Sequence, residues 1–281
     1  MSLDLLAAEH GLTRVGGRPT LAAYLRELWR RRHFAIALGA ARAYSRNQGS
    51  FLGQTWAILT PLLWAGVYLL VFGVMLGTDA GIGNYIGFLV IGVFLFHFTS
   101  ANINNGSGAI VNNSGLVTSL QFPRALLPFS IVLAELFTLA PALLVLLVLV
   151  PLSGEAPQWS WLLLPFAIGL QWIFGTGAAL LCARLVNDVR DLGQLIPFGI
   201  RGLMYASGVF YSIDRYAGDG VVGWLLTHQP IAVYLELGRA TLLAEYDASL
   251  TLWLWGAAWA ALALVVGLVY FWRGEARYGR G

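Results

Sequence analysis

The stretch from Trp56 to Gly77, WAILTPLLWAGVYLLVFGVMLG, contains no charged side chain. A helix rises 1.5 Å per residue, so about 20 consecutive apolar residues cross the roughly 30 Å of hydrocarbon in a bilayer. This stretch is long enough, and five other segments share its character. They are Tyr85 to Thr99, which Ile82 and Ala101 to Ile103 can extend; Leu126 to Val150; Trp161 to Val186, with Arg184 near its end; Leu195 to Tyr211, with Arg201 inside; and Leu250 to Trp272. Val221 to Leu226 is too brief to cross. The composition agrees, with 58% apolar and 11% charged residues over 281 positions. A soluble domain carries about a quarter charged residues. The expected fold is an all-α membrane protein with six transmembrane helices, and these segments leave no room for a soluble domain.

Arginine placement predicts the orientation, because basic residues are held on the cytoplasmic side. With the N-terminus inside, inside segments hold Arg14, Arg18, Arg26, Arg30, Arg31, Arg32, Arg42, Arg46, Arg124, Arg184, Arg190, Arg273, Arg277 and Arg280, while outside loops hold only Arg215 and Arg239. The outside loops carry acids instead: Asp79, Glu155, Asp214, Asp219, Glu236, Glu245 and Asp247. Both termini are therefore expected in the cytoplasm. Trp56, Trp159, Trp161 and Trp272 fall at span ends, where indole rings sit at headgroup level. No cleavable signal peptide is expected, because residues 1–20 lack a basic start followed by an apolar core.

All 17 basic residues are arginine. A Walker A loop grips nucleotide phosphates with a lysine, so no such loop exists here, and any ATP-driven work belongs to another chain. The lone Cys182 lies in an apolar helix and reads as a small packing residue. His10, His33, His97 and His228 have no metal-ligand spacing, and no metal site is expected.

Three segments do not span. Thr20 to Gly39 reads as an amphipathic interface helix, with Leu21, Leu25, Leu28 and Trp29 on one side and Arg26, Arg30 and Arg31 mostly between them. Asn102 to Gln121 reads as an inside loop rich in asparagine and glycine, with a turn or two of helix over Leu116 to Leu120. Pro123 then breaks the chain before the third span. On the outside, Val221 to Leu226 and Ile231 to Leu243 suit short re-entrant helices. Within the spans, His97, Glu135 and Arg201 stand out, since intramembrane charges normally face the bundle interior and pair. Glu135 and Arg201 could pair with each other, or Arg201 could bind an anionic part of a substrate.

The run Ser45-Arg46-Asn47-Gln48-Gly49-Ser50-Phe51-Leu52-Gly53-Gln54-Thr55-Trp56, followed by Pro61, Val67-Tyr68 and Val71-Phe72-Gly73, resembles the start of the first span in ABC-2 type permeases, the membrane subunits of polysaccharide exporters. Phe122-Pro123-Arg124 with Leu127-Pro128, then Arg190-Asp191, then Gln229-Pro230 with Arg239, resemble later motifs of that family in the same order. The N-terminal arm is longer than is usual there. The resemblance implies a cytoplasmic arm over residues 1–50 and a six-helix domain over 51–281. It implies a second copy of the chain, two ATP-binding subunits, membrane lipid and a lipid-linked polysaccharide as partners, with no nucleic acid. ATP and Mg would reside in the partner ATPase and no cofactor in this chain, which is not itself an enzyme. Asn112, Asn113, Ser114, Leu116, Val117 and Leu120 would form the ATPase-coupling segment. Trp64, Tyr68, Phe72, Arg201, Tyr205 and Phe210 would line the channel. An exporter of drug or simple lipid, a glycosyl or acyl transferase using Asp188 and Asp191, and a secondary transporter are the competing readings.

Overall fold

Why the apolar segments become one bundle is visible in a computed structural model, which describes residues 19–46, 48–77, 82–213 and 220–278. Asn47, the first 18 residues of the arm, Asp79, Asp214, Arg215, Asp219 and Arg280 lie outside the described residues. Among the described residues every regular element is a helix. Five helices are long and apolar enough to cross a membrane: Trp56–Met75, Tyr85–Ser107, Leu126–Leu152, Trp159–Asp188 and Leu250–Arg273.

Helix α1 (Leu21–Arg30) begins at Thr20, whose hydroxyl accepts from the Ala23 amide. It buries Tyr24 and Leu28 and leaves Arg26, Leu25 and Trp29 outside. The single amphipathic helix expected over Thr20 to Gly39 is in fact two. Arg31 leaves helical geometry, and its guanidinium reaches Glu27 (2.5 Å) and the Gln121 carbonyl (3.0 Å). Helix α2 (Arg32–Ser45) then packs on protein rather than lying free. A Cβ on Gly39 would sit 2.9 Å from the Ser130 carbonyl, so glycine lets the two backbones approach.

Helix α3 (Trp56–Tyr68) runs into a π-helical turn at Leu69–Met75. Helix α4 (Tyr85–Ser107) is the axis of the bundle: 78% of its apolar window is buried, against 11% for the first span. It also corrects the expected loop, because it continues through Asn102, Asn104 and Asn105 to Ser107. Those polar residues are used in packing. Asn105 donates to Glu135 at 2.8 Å, and a Cβ on Gly106 would collide with Ala179. After a short 3-10 turn come α5 (Ser114–Ser119), then α6 (Leu126–Leu152) and α7 (Leu164–Asp188). Gly177 of α7 crosses α11 (Leu250–Arg273) so closely that a Cβ would overlap the Ala263 backbone.

The fifth expected span, Leu195 to Tyr211, is the exception. Helix α8 covers only Leu192–Ala206 and is about 22 Å long at 1.5 Å per residue. The chain reverses at Gly208, where φ is +66°, a conformation glycine adopts without a Cβ penalty. The apolar residues that follow, Val209 and Phe210, turn inward and are fully buried. The two short helices predicted beyond it exist, α9 (Val221–His228) and α10 (Pro230–Leu242). Nearly all of α10 is buried, which is how so short a helix is stable in this setting.

Candidate functional site

Trp64, Tyr68 and Phe72 recur every four residues, which puts them on one face of a helix. The first two stack at 5.7 Å between centroids, and Tyr68 meets Phe72 at 6.4 Å. Phe210 enters from the reversal after α8 and lies parallel to Phe72 at 4.2 Å, with Tyr68 at 4.7 Å and Tyr205 at 5.7 Å. Tyr68 also donates to the Met204 sulfur (3.5 Å). All five predicted aromatics therefore belong to one strip across α3 with its π-helical continuation and α8 with the turn after it. Their exposure differs: Trp64 is 48% and Tyr205 51% exposed, while Phe210 is 0%. Phe210 backs the strip from the buried side. Arg201 joins Trp64, Tyr68 and His97 around a cavity of about 320 Å³ at the foot of the strip. Sequence reasoning missed Met204, Ile200 and Pro197, which line the same cavity.

Glu135 does not pair with Arg201, which corrects that expectation. Its carboxylate accepts from both Nη atoms of Arg46, one at 2.9 Å and the other closer, and from Asn105. The end of α2 lies over α6, which brings Arg46 to it. Asp188 is paired with Arg184 of its own helix (3.5 Å).

In the expected coupling segment, Asn112, Ser114, Thr118, Ser119 and Leu120 are exposed. Val117 is 3% exposed and turns into the cluster formed by Tyr24, Ile110 and Leu126, with Leu116 against it. Asn113 accepts from Arg42 at 2.7 Å. The segment is thus tied to the N-terminal helices at both ends, by Arg42 and by Arg31.

Residues 35–243 match the family described as ABC-2 type transporter. The chain belongs to the ABC-2 type transporter family. It is 28% identical over 207 residues to the O-antigen export system permease protein RfbA of Myxococcus xanthus, covering 74% of this chain and 79% of that protein. An O-antigen export system permease protein RfbA of Klebsiella pneumoniae is 28% identical over 189 residues, covering 66% and 71%.

As an ABC-2 permease the chain is a multi-pass membrane protein. Its N- and C-terminal segments meet beside the α5 segment. Glu275, 5% exposed, accepts from Tyr24 Oη (2.8 Å) and the Arg124 amide (3.0 Å), and Tyr24 Oη accepts from the Ala125 amide (3.2 Å). Burial pushes the Glu275 carboxyl above its ordinary 4.5, outweighing the donors that favour its charge. A carboxyl whose folded value is raised stabilises most below the unfolded value and loses that contribution as pH rises through the folded one. Thermal unfolding in detergent, followed by tryptophan fluorescence, should therefore show stability falling as pH rises from 4.5. Glu275→Gln should flatten the slope; an unchanged slope in that variant would assign the pH dependence to other groups.

Proposed function

We propose that this chain is the permease subunit of an ATP-driven polysaccharide exporter, moving a lipid-linked polymer across the cytoplasmic (inner) membrane. The observation that carries this reading is the aromatic strip on α3 and α8, in an ABC-2 chain whose relatives are O-antigen export permeases. Aromatic faces present apolar area at little conformational cost and accept the C–H faces of successive sugars whatever their linkage. Trp64, Tyr68 and Tyr205 make that contact, Phe72 and Phe210 hold them, and Arg201 meets an anionic group of the cargo. The strip lies on the wall of the bundle that packs least on the rest of the chain. A second copy facing it would enclose a path between the two. Arginine distribution puts both termini and α5 in the cytoplasm and α9 and α10 outside, with residues 1–50 as the arm and 51–281 as the transmembrane domain.

Two separate ATP-binding subunits, holding ATP and Mg, supply the work. They seat on the exposed face of the coupling segment: Asn112, Ser114, Thr118 and Leu120. Asn113, Leu116 and Val117 brace that face from behind. Leu120 is 49% exposed, so a charge there leaves the fold intact and spoils only a docked surface. Leu120→Asp is expected to cost about 2 kcal/mol of partner affinity, roughly thirtyfold. The check is co-purification with a P-loop ATPase encoded next to the permease gene, where one is there, or otherwise with candidate ABC ATPases of the same cell, followed by ATPase and polymer-export assays. A permease that never assembles with such an ATPase, or a Leu120→Asp variant that assembles normally, would overturn this assignment.

A further inference from the structure

Every backbone carbonyl in the reversal after α8, from Ala206 to Phe210 with the exception of Ser207, is held by a side chain from elsewhere. Gln229 Nε2 donates to the Ala206 carbonyl (2.7 Å). Arg239 Nη2 donates to those of Gly208 (2.8 Å) and Val209 (3.2 Å), and Tyr85 Oη to that of Phe210 (3.0 Å). Arg239 is 3% exposed and lies 3.4 Å from the Phe88 ring centre; its ion pair with Glu236 spans 3.7 Å to a carboxylate that is 41% exposed. A buried cation in a membrane protein is costly and marks a specific task. Here Nη2 donates to two neutral carbonyls of a turn that is not itself helical, while Nη1 faces Glu236. Pro230 at the first turn of α10 leaves Gln229 extended and able to reach that turn.

We infer that Arg239, seconded by Gln229 and Tyr85, is a positioning residue of the translocation path. It fixes the reversal so that Phe210 holds the α3 and α8 aromatics at one spacing. It touches no cargo and acts only through Phe210. The inference rests on the proposed role of the aromatic strip, and it gives the Gln229-Pro230…Arg239 motif a physical reason. Gly92 supplies an independent handle. A Cβ there would lie 2.8 Å from Arg239 Nη2 and 3.0 Å from the Val209 carbonyl, displacing the guanidinium without altering it.

The test uses the full complex of permease and ATPase in liposomes, without ATP, and measures resting permeability to a small anion alongside basal ATPase and polymer export. Arg239→Met, Gly92→Ala and Phe210→Ala should each raise the resting leak about tenfold or more, as expected when the buried contacts that hold the aromatics of the path in one place are lost. Arg239→Met/Phe210→Ala should leak no more than either single variant, and Arg239→Lys should lie between. Misfolding alone would lower yield and ATPase together; in Arg239→Met and Gly92→Ala a lost position raises leak in a monodisperse complex with unchanged basal ATPase. If Arg239→Met fails to assemble, Arg239→Lys and Gly92→Ala carry the same comparison. Assembled variants with wild-type leak and export, or a double variant whose effects add, would overturn the inference. A wild-type complex that exports no polysaccharide, yet leaks when the clamp is broken, would sink the proposed function and leave the clamp standing.

Discussion

Arg46→Ala is expected to cost the folded bundle about 3–5 kcal/mol, the range for stripping one partner from a buried ion pair. The penalty belongs to what is left behind. Glu135 is 4% exposed on α6, and its charge is met by the Arg46 fork and the Asn105 amide. Without Arg46, one neutral donor, the Asn105 amide, remains for a buried carboxylate. The opposite truncation is milder. The Arg46 side chain is 37% exposed at the end of α2, so in Glu135→Ala it can extend toward headgroups and water. Removing both charges together, as Arg46→Met/Glu135→Leu, should recover most of the loss, because an apolar replacement of a buried pair is often neutral or better. Thermal midpoints of Arg46→Ala, Glu135→Ala and Arg46→Ala/Glu135→Ala, arranged as a double-mutant cycle, read the coupling directly. Equal losses for the two single variants, summing in the double, would mean that the pair carries no specific coupling.

How much of this was legible in the sequence follows from the range of each signal. Spanning helices announce themselves by uninterrupted apolar length, whereas Trp64, Tyr68 and Phe72 are candidates only through the family resemblance, and their four-residue spacing explains why one face carries all three. Residues 207–211 look in sequence like a continuation of α8 because apolar composition does not distinguish a helix that goes on from a turn packed inward; the local clue is Gly208. Asn102, Asn104 and Asn105 looked like loop residues because asparagine and glycine usually are. At a helix crossing the same residues serve close approach and buried hydrogen bonding instead. The Arg46–Glu135 pair joins positions 89 apart in sequence, and no periodicity reports such a partner. The Arg239 clamp is harder still, since its acceptors are backbone carbonyls that any residue would offer. The motif was visible and its purpose was not.

Gly177→Val should prevent formation of the bundle outright, with a cost above the roughly 1–3 kcal/mol of ordinary overpacking. In lipid no hydrophobic effect drives helices together, so association depends on close packing, which small residues permit. Gly177 faces Ala263 and Gly267 of α11, and added Cβ atoms at Gly177 or Gly267 would overlap backbone of the opposite helix rather than a movable side chain. Neither backbone can yield without separating α7 from α11 along their length. Gly169, two turns earlier on α7, has nothing within 4 Å of its Cβ position. There Gly169→Ala should instead stabilise by up to about 1 kcal/mol, the helix-propensity difference. Opposite signs on one helix separate a packing requirement from any general intolerance of substitution. The measurements are the monodisperse fraction in detergent and the thermal midpoint; a folded Gly177→Val with a wild-type midpoint would place the crossing elsewhere. The crossing also bears on transport. The helix α11 that it locks ends at the Glu275 clasp beside the coupling segment, and α4 packs on α7. Under the proposed function, a rigid α4–α7–α11 frame would let the loosely packed wall of α3 and α8 be displaced as a body when the ATP-binding partner pushes on the coupling segment.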